Sequence, residues 1–282
     1  MASCGNCATF LLRPCGSSMQ CAVAIIAYLP TPPEGERASY ERCLAVLGEH
    51  PLKLVCPESL DISLYVGLAA EHGRRIEAVR FPDACFRSVA TYNRLMLTPD
   101  FYHRFKAYEY ILVYQLDAWV FRDELSDWCC RGYAYVGAPF FTDRGEMLPF
   151  AGNGGFSLRR VRTFLDIFDG APAAIKWNYG FLAVQLPARN RFRAFVKRVL
   201  HVCCMGVCRV SPLWYCTHMS GNEDMLYARA LSLMGRKNVA PPDVAAFFSF
   251  ERFPEVLDAM TAGKTPFGCH AYEKYGKEFF SL

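Results

Sequence analysis

Residues 22 to 28, Ala-Val-Ala-Ile-Ile-Ala-Tyr, form an unbroken apolar run that stops at Leu29-Pro30-Thr31-Pro32-Pro33. A run of this kind, closed by prolines, reads as a buried strand opening into a loop. Helical and extended segments alternate after it. Tyr40, Cys43, Leu44 and Leu47 recur at helical spacing and stop at Gly48. Lys53 to Cys56, before Pro57, and Ile76 to Phe81 are further strands with helical material between them. The chain therefore begins β-α-β-α-β. With 282 residues, 52% hydrophobic and 21% charged, it is too apolar for disorder and long enough to bury a large core.

Beyond Phe81 the alternation continues. Ser88 to Phe105 is helical in two pieces broken at Thr98-Pro99, and Tyr110 to Tyr114 is another apolar strand, which delivers Gln115-Leu116-Asp117. A short helix near Asp123 to Cys129, a strand at Tyr135 to Gly137, and Gly152-Asn153-Gly154-Gly155 leading into Phe156-Ser157-Leu158 come next. Val161, Phe164, Leu165 and Phe168 mark one helix face, Arg191 to Leu200 a further helix, and Asn222 caps a helix carrying Leu226, Ala230 and Leu233. Phe267 to Leu282 reads as aromatic and irregular. Neither a repeat nor a low-complexity linker interrupts the chain, so the expectation is a mobile tail over 1–19 and one α/β domain over 20–282.

Charge and cysteine usage bound the partners. Lys plus Arg number 31 against 27 Asp plus Glu, and a balance of +4 is too mild for a dedicated nucleic-acid face. The 22 Phe, 15 Tyr and 4 Trp supply flat apolar faces for a core and for stacking on bases or sugar rings. Fourteen Cys fall short of a disulfide scaffold, residues 1–20 lack a secretory apolar segment, and no run approaches a membrane span. A cytoplasmic protein with reduced thiols and no transmembrane segment is expected. Cys4 with Cys7, and the group His201, Cys203, Cys204, Cys208, Cys216 and His218, hold enough ligands for zinc, but neither follows a regular zinc spacing and buried thiols explain them equally.

In an open α/β sheet a carboxylate directly after a buried strand stands where ligands arrive, and Asp117 is such a residue; it equally well caps a turn. Gly152-Asn153-Gly154-Gly155 lets backbone N–H groups come close to a ligand, or makes a plain tight turn. It lacks the Lys of a phosphate loop, and Arg159 replaces the last glycine of a hydrolase elbow. Asn222-Glu223-Asp224 opens a helix, where the dipole favours acids, yet one carboxylate there can serve as a general base. His270, in Gly268-Cys269-His270-Ala271-Tyr272, is a loop histidine able to ligate a metal or simply to pack.

Taken in order, these stretches resemble the glycosyltransferases of the GT-A fold. More narrowly they are similar to an uncharacterised glycosyltransferase family, through Tyr92-Asn93-Arg94-Leu95-Met96-Leu97, Tyr114-Gln115-Leu116-Asp117-Ala118-Trp119-Val120-Phe121, Gly152 to Arg159, and Asn222-Glu223-Asp224. The resemblance covers about residues 20 to 282. It implies a GT-A-like, Rossmann-like mixed central sheet flanked by helices, and transfer of a sugar from a nucleotide-diphosphate donor, UDP-linked, to a hydroxyl of a glycan or glycolipid. By that resemblance Asp117 holds a divalent cation, Mn²⁺ or Mg²⁺, and His270 matches the C-terminal metal ligand. Gln115 stands where the family has the first acid of its Asp-x-Asp motif, which weakens the site or leaves it to His270, diphosphate and water. The acid pair resembles that of inverting members, with Asp224 the first choice as base and Glu223 the second. Tyr28, Gln115, Asp117, Asn153, Gly154 and Gly155 form the implied donor-binding set, with Tyr28 stacking on the base, Asn153 bonding a sugar hydroxyl and Trp119 packing on a sugar; Tyr28 and Trp119 serve equally well as core residues. Peripheral membrane contact would follow only from a lipid-linked acceptor, since no amphipathic basic helix announces it. A sugar-phosphate nucleotidyltransferase is disfavoured, because its glycine-rich signature is missing after Tyr28. A noncatalytic glycan- or nucleotide-binding protein with a degenerate GT-A fold is the alternative.

Overall fold

The computed structural model describes residues 20–168, 199, 222–234 and 238–282. The expected N-terminal tail, the Cys4–Cys7 pair, the His201–His218 group and, Val199 apart, the Arg191–Leu200 helix lie outside these residues.

The opening β-α-β-α-β is present as β1 (Cys21–Ile26), α1 (Glu34–Leu47), β2 (Leu52–Pro57), α2 (Ser63–Glu71) and β3 (Ile76–Phe81). Two helices come next, α3 (Val89–Met96) and α4 (Pro99–His103), separated at Thr98 because proline at the first helical position suits a new start and not a continuation. Then come β4 (Tyr110–Gln115), β5 (Trp119–Val120), α5 (Leu125–Cys130), β6 (Tyr135–Gly137), β7 (Pro139–Phe141), β8 (Met147–Ala151), β9 (Phe156–Arg160) and α6 (Val161–Phe168). Further along stand α7 (Glu223–Met234), α8 (Pro242–Phe248), β10 (Ser249–Phe250), α9 (Pro254–Thr261) and β11 (Gly268–Cys269).

The central sheet has the order β3-β2-β1-β4-β9-β6. β1 pairs in parallel with β2 and β4, and β2 with β3, whereas β9 runs antiparallel to both β4 and β6. The sheet is mixed, as expected. Its centre explains the apolar run at the start of the chain: Val23 and Ile25 enter one core, and Ala22, Ala24 and Ile26 enter the other, on the opposite face. Tyr110, Leu112 and Tyr114 on β4 alternate with Ile111 and Val113 in the same way. A strand buried on both faces has no polar side to alternate, which is why it reads as a continuous apolar stretch. Helices α1, α2, α5 and α8 cover the first face, and α3, α4, α6 and α7 the second.

Strand order places the ligand edge. From β1 the chain winds to β2 and β3 on one side, then returns to lay β4 on the other, so the order reverses between β1 and β4. Such a reversal leaves a crevice outside the carboxyl ends of the two strands. β9, being antiparallel, brings its amino end to that same edge.

The last part of the chain departs from the expectation of an irregular tail. Phe267 to Leu282 is not wholly irregular: β11 pairs in parallel with β10 and antiparallel with β5, a three-stranded sheet that fixes the loop after it. Each of these strands has two residues, too few to show a period of two.

Candidate active site

At the crevice between β1 and β4 lies a cleft of about 620 Å³. Tyr28, Gln115, Asp117, Asn153, Gly154, Gly155, Glu223, Asp224 and His270 all line it, so these nine residues singled out from the sequence reach one cavity. Gln115 ends β4, and Asp117 stands in the turn beyond it. Gly154 and Gly155 precede β9, and Glu223 and Asp224 occupy the first turn of α7. Trp119 follows the core reading of the two that the sequence allowed. It is not among the residues lining the cleft, and packs in the small sheet with Tyr272 at a ring distance of 5.1 Å and Arg42 over its face at 5.7 Å.

One side of the cleft is organised around His270. Its Nε2 lies 3.2 Å from Asp117 Oδ1 and 3.3 Å from Gln115 Oε1, while Nδ1 lies 3.2 Å from Glu251 Oε1. Burial disfavours charge on the imidazole, but the hydrogen bonds and charges of Asp117 and Glu251 outweigh it and push His270 up to about 10. Asp117 shows the converse. Burial would raise it, yet its bond to His270 holds it below the ordinary carboxylate value. The loop approaches so closely that a Cβ at Gly155 would overlap the His270 ring, and only glycine fits. Among the described residues no group of three or more His, Cys, Asp or Glu side chains converges as a metal cage; the donors meeting here are one carboxylate, one imidazole and one amide.

On the other side the two acids separate. Glu223 is 3% exposed and faces Arg159, which is 0% exposed, with Nη2 to Oε1 at 3.0 Å and Nη1 to Oε2 at 3.4 Å. Among the described residues no cation pairs with Asp224. Its Oδ1 accepts from the Met225 N–H at 2.6 Å and its Oδ2 from the Gly154 N–H at 3.2 Å. Burial first, and then the neighbouring Glu223 charge, raise Asp224 from 3.8 to about 7 despite those two N–H groups. Asn153 turns its own Oδ1 to the Gly155 N–H at 3.2 Å, bracing the glycine turn. Tyr28 stands half exposed at the rim.

Several lining residues had drawn no role from the sequence. Glu251 comes after a two-residue strand and has no periodic signal, and Glu36 lies on the helix after β1. Tyr92 and Asn93 belong to one of the stretches that carry the family resemblance, and the Tyr92 hydroxyl is buried beside the Gln115 amide without a hydrogen bond of standard geometry. A buried hydroxyl left in this way favours a ligand that bonds it.

Fold and site together define a mixed α/β protein with an acid-lined ligand cleft at the switch point of its sheet. The chain belongs to the family described as "Protein of unknown function (DUF5672)", whose family model matches residues 75–270. No curated protein sequence matches it. Among solved structures it is similar to mouse xyloside xylosyltransferase 1 in the apo form, at 10% identity over 88% of this chain and 96% of that one, with a TM-score of 0.47. It is also similar to galactosyltransferase LgtC in complex with donor and acceptor sugar analogues, at 13% identity over 88% and 86%, TM-score 0.46. A third is the apo bifunctional WbbM glycosyltransferase, at 13% identity over 92% of this chain and 46% of that one, TM-score 0.43.

Proposed function

We propose that this protein is an inverting glycosyltransferase that moves a sugar from a nucleotide-diphosphate donor, UDP-linked, to a hydroxyl of a glycan or glycolipid. The observation that carries this reading is the division of labour across one cleft. Asp117, Gln115 and His270 bring a carboxylate, an amide and an imidazole together at the strand ends, and Asp224, raised to about 7, faces the same cavity from α7. A base poised near neutral pH is suited to taking the proton of an acceptor hydroxyl as it attacks the anomeric carbon.

Asp117, His270 and Gln115 would hold Mn²⁺ or Mg²⁺ once His270 Nε2 releases its proton, since carboxylate, neutral imidazole and amide oxygen form an acceptable donor set, with remaining positions for diphosphate oxygens. Bound there, the ion would supply Lewis-acid stabilisation of the departing nucleoside diphosphate. Glu251 accepts from Nδ1 and so orients the imidazole, as outer-shell carboxylates commonly do for metal-bound histidine. Gly154 and Gly155 let the turn pack directly against Glu223 and His270 at the cleft wall, and Tyr28 offers a half-exposed ring to the base. Residues from Tyr28 to His270 share the cleft, which supports one domain over 20–282. Among the described residues no helix is long and apolar enough to cross a membrane. Among the described residues Cys21, Cys43, Cys56, Cys85, Cys129 and Cys269 are not joined in disulfides, and a cytoplasmic setting is part of the proposal.

A noncatalytic nucleotide- or glycan-binding role has one observation in its favour, an amide at position 115 where a second carboxylate would strengthen the cation site. A screen of nucleotide sugars with and without Mn²⁺, read first as thermal shift and then as release of nucleoside diphosphate, tests both. Stabilisation with metal-dependent turnover, lost in Asp117→Ala, supports the enzyme. Stabilisation without turnover supports the binder, and full donor turnover by Asp117→Ala overturns the site assignment.

A further inference from the structure

Arg159 takes no part in the proposed chemistry, yet it is a cation buried to 0% exposure within reach of the cleft. It sits on β9, in contact with the Tyr135, Phe164 and Tyr227 rings, whose centroids lie 5.2, 5.7 and 6.0 Å from its guanidinium carbon. Its donors are all committed: Nε to Ser157 Oγ at 3.0 Å, Nη1 to Tyr102 Oη at 2.9 Å and to Glu223, and Nη2 to Glu223 and to the Gly154 carbonyl at 3.4 Å. Ser157 donates its own hydroxyl to that same Gly154 carbonyl at 2.9 Å.

The Gly154 peptide links these groups to the base. Its carbonyl is held by Arg159 and Ser157, and its N–H is held by Asp224. A Cβ at Gly154 would stand 2.6 Å from Glu223 Oε1, 3.1 Å from Asp224 Cβ and 3.2 Å from Arg159 Nη2, so all three side chains crowd one backbone unit. We propose that Arg159 is a positioning residue: by binding Glu223 in a buried two-point ion pair and clamping the Gly154 carbonyl, it neutralises one acid of the pair and leaves the other, Asp224, to exchange protons in the cleft. The proposal rests on the reading of Asp224 as the base. It goes beyond that reading because it assigns the two adjacent acids opposite tasks, and gives the reason in a residue that never meets substrate.

Among the described residues, the titratable groups that act on Asp224 are Glu223 beside it on α7, Glu251 after β10 and the Tyr135 hydroxyl of β6, and Arg159 on β9 pairs with Glu223. If Arg159 balances Glu223, then altering either partner must move the Asp224 titration, and the two changes must move it in opposite directions. Glu223→Gln removes the adjacent negative charge and leaves the cation, so the Asp224 midpoint falls by about one pH unit, tenfold in proton affinity. Arg159→Lys keeps a charge but loses the fork that covers both Glu223 oxygens, so the midpoint rises.

The test is a carbon NMR titration of the Asp224 carboxyl in the full chain, assigned with Asp224→Asn, for wild type and both variants, with folding checked by circular dichroism. Opposite shifts are expected. Glu223→Gln titrating like wild type, or both variants moving the same way, overturns the proposal; if one variant fails to fold, the sign of the other decides. The acid limb of sugar transfer, measured in parallel, should move with the NMR midpoint. Wild-type protein with no transfer activity counts against the functional reading, while the titration still decides the role of Arg159.

Discussion

Replacing Asp224 by Asn should make the protein more stable and less active, and the gain in stability should depend on pH in a way set by the environment of that side chain. The carboxyl is raised from 3.8 to about 7 by burial and by Glu223. Between those values the folded protein holds a proton that the unfolded chain has released, so stability falls as pH rises through this window and is level above it. Three pH units at 1.36 kcal/mol each give an upper figure of about 4 kcal/mol for keeping Asp224 ionised at pH 8. Asn is neutral and nearly the same size. It keeps an oxygen for one backbone N–H but not for both the Gly154 and Met225 groups, a loss of about 1 kcal/mol. The net is about 3 kcal/mol in favour of the amide variant at pH 8, or a rise in Tm of about 6 °C for a chain of this size. Near pH 4 the wild-type group is already protonated and the advantage vanishes. Calorimetric melts of both proteins from pH 4 to 8 provide the assay, with transfer expected to fall at least about 100-fold in the variant. Two Tm curves that run parallel across this range would refute the argument that Asp224 is held out of its preferred charge state.

Other changes separate the two halves of the site. Gly155→Ala drives a methyl into His270, so Mn²⁺-dependent donor binding, measured by isothermal calorimetry, should weaken at least about tenfold while stability drops by about 1–3 kcal/mol from overpacking. Arg159→Met strands Glu223 without its cation and should destabilise the fold by about 3–5 kcal/mol in urea melts, whereas joint replacement of Arg159 and Glu223 by Met should restore most of that loss. Adding EDTA to wild type should abolish the extra thermal shift that Mn²⁺ confers on a nucleotide-sugar complex, and should leave the melt of the ligand-free protein nearly unchanged.

Much of the framework can be read along the chain because its central strands are buried on both sides. Ala22 to Ala27 and Tyr110 to Tyr114 are apolar throughout, and that pattern survives in one dimension. Thr98-Pro99 marks the break between α3 and α4 by the geometry of proline alone. Residues beyond those strands, such as Asp117, and the glycines before β9 likewise declare themselves by position. Which of its two readings Trp119 follows was not legible, because an indole next to a strand carries no sign of which way it turns; here it packs against Tyr272.

The order of residues was enough to set the alternation of strands and helices, the α/β class, and a short set of polar residues placed at strand and helix ends, because hydrophobic period, proline and glycine act locally. How those polar residues divide depended on the folded chain. Arg159 and Glu223 are 64 positions apart, and His270 is 155 from Gln115 and 19 from Glu251. Adjacent along the chain, Glu223 and Asp224 look alike, and they differ because, among the described residues, the fold brings a buried guanidinium to one carboxylate and two backbone N–H groups to the other. Charge and desolvation depend on distance in space, and no local pattern encodes that distance.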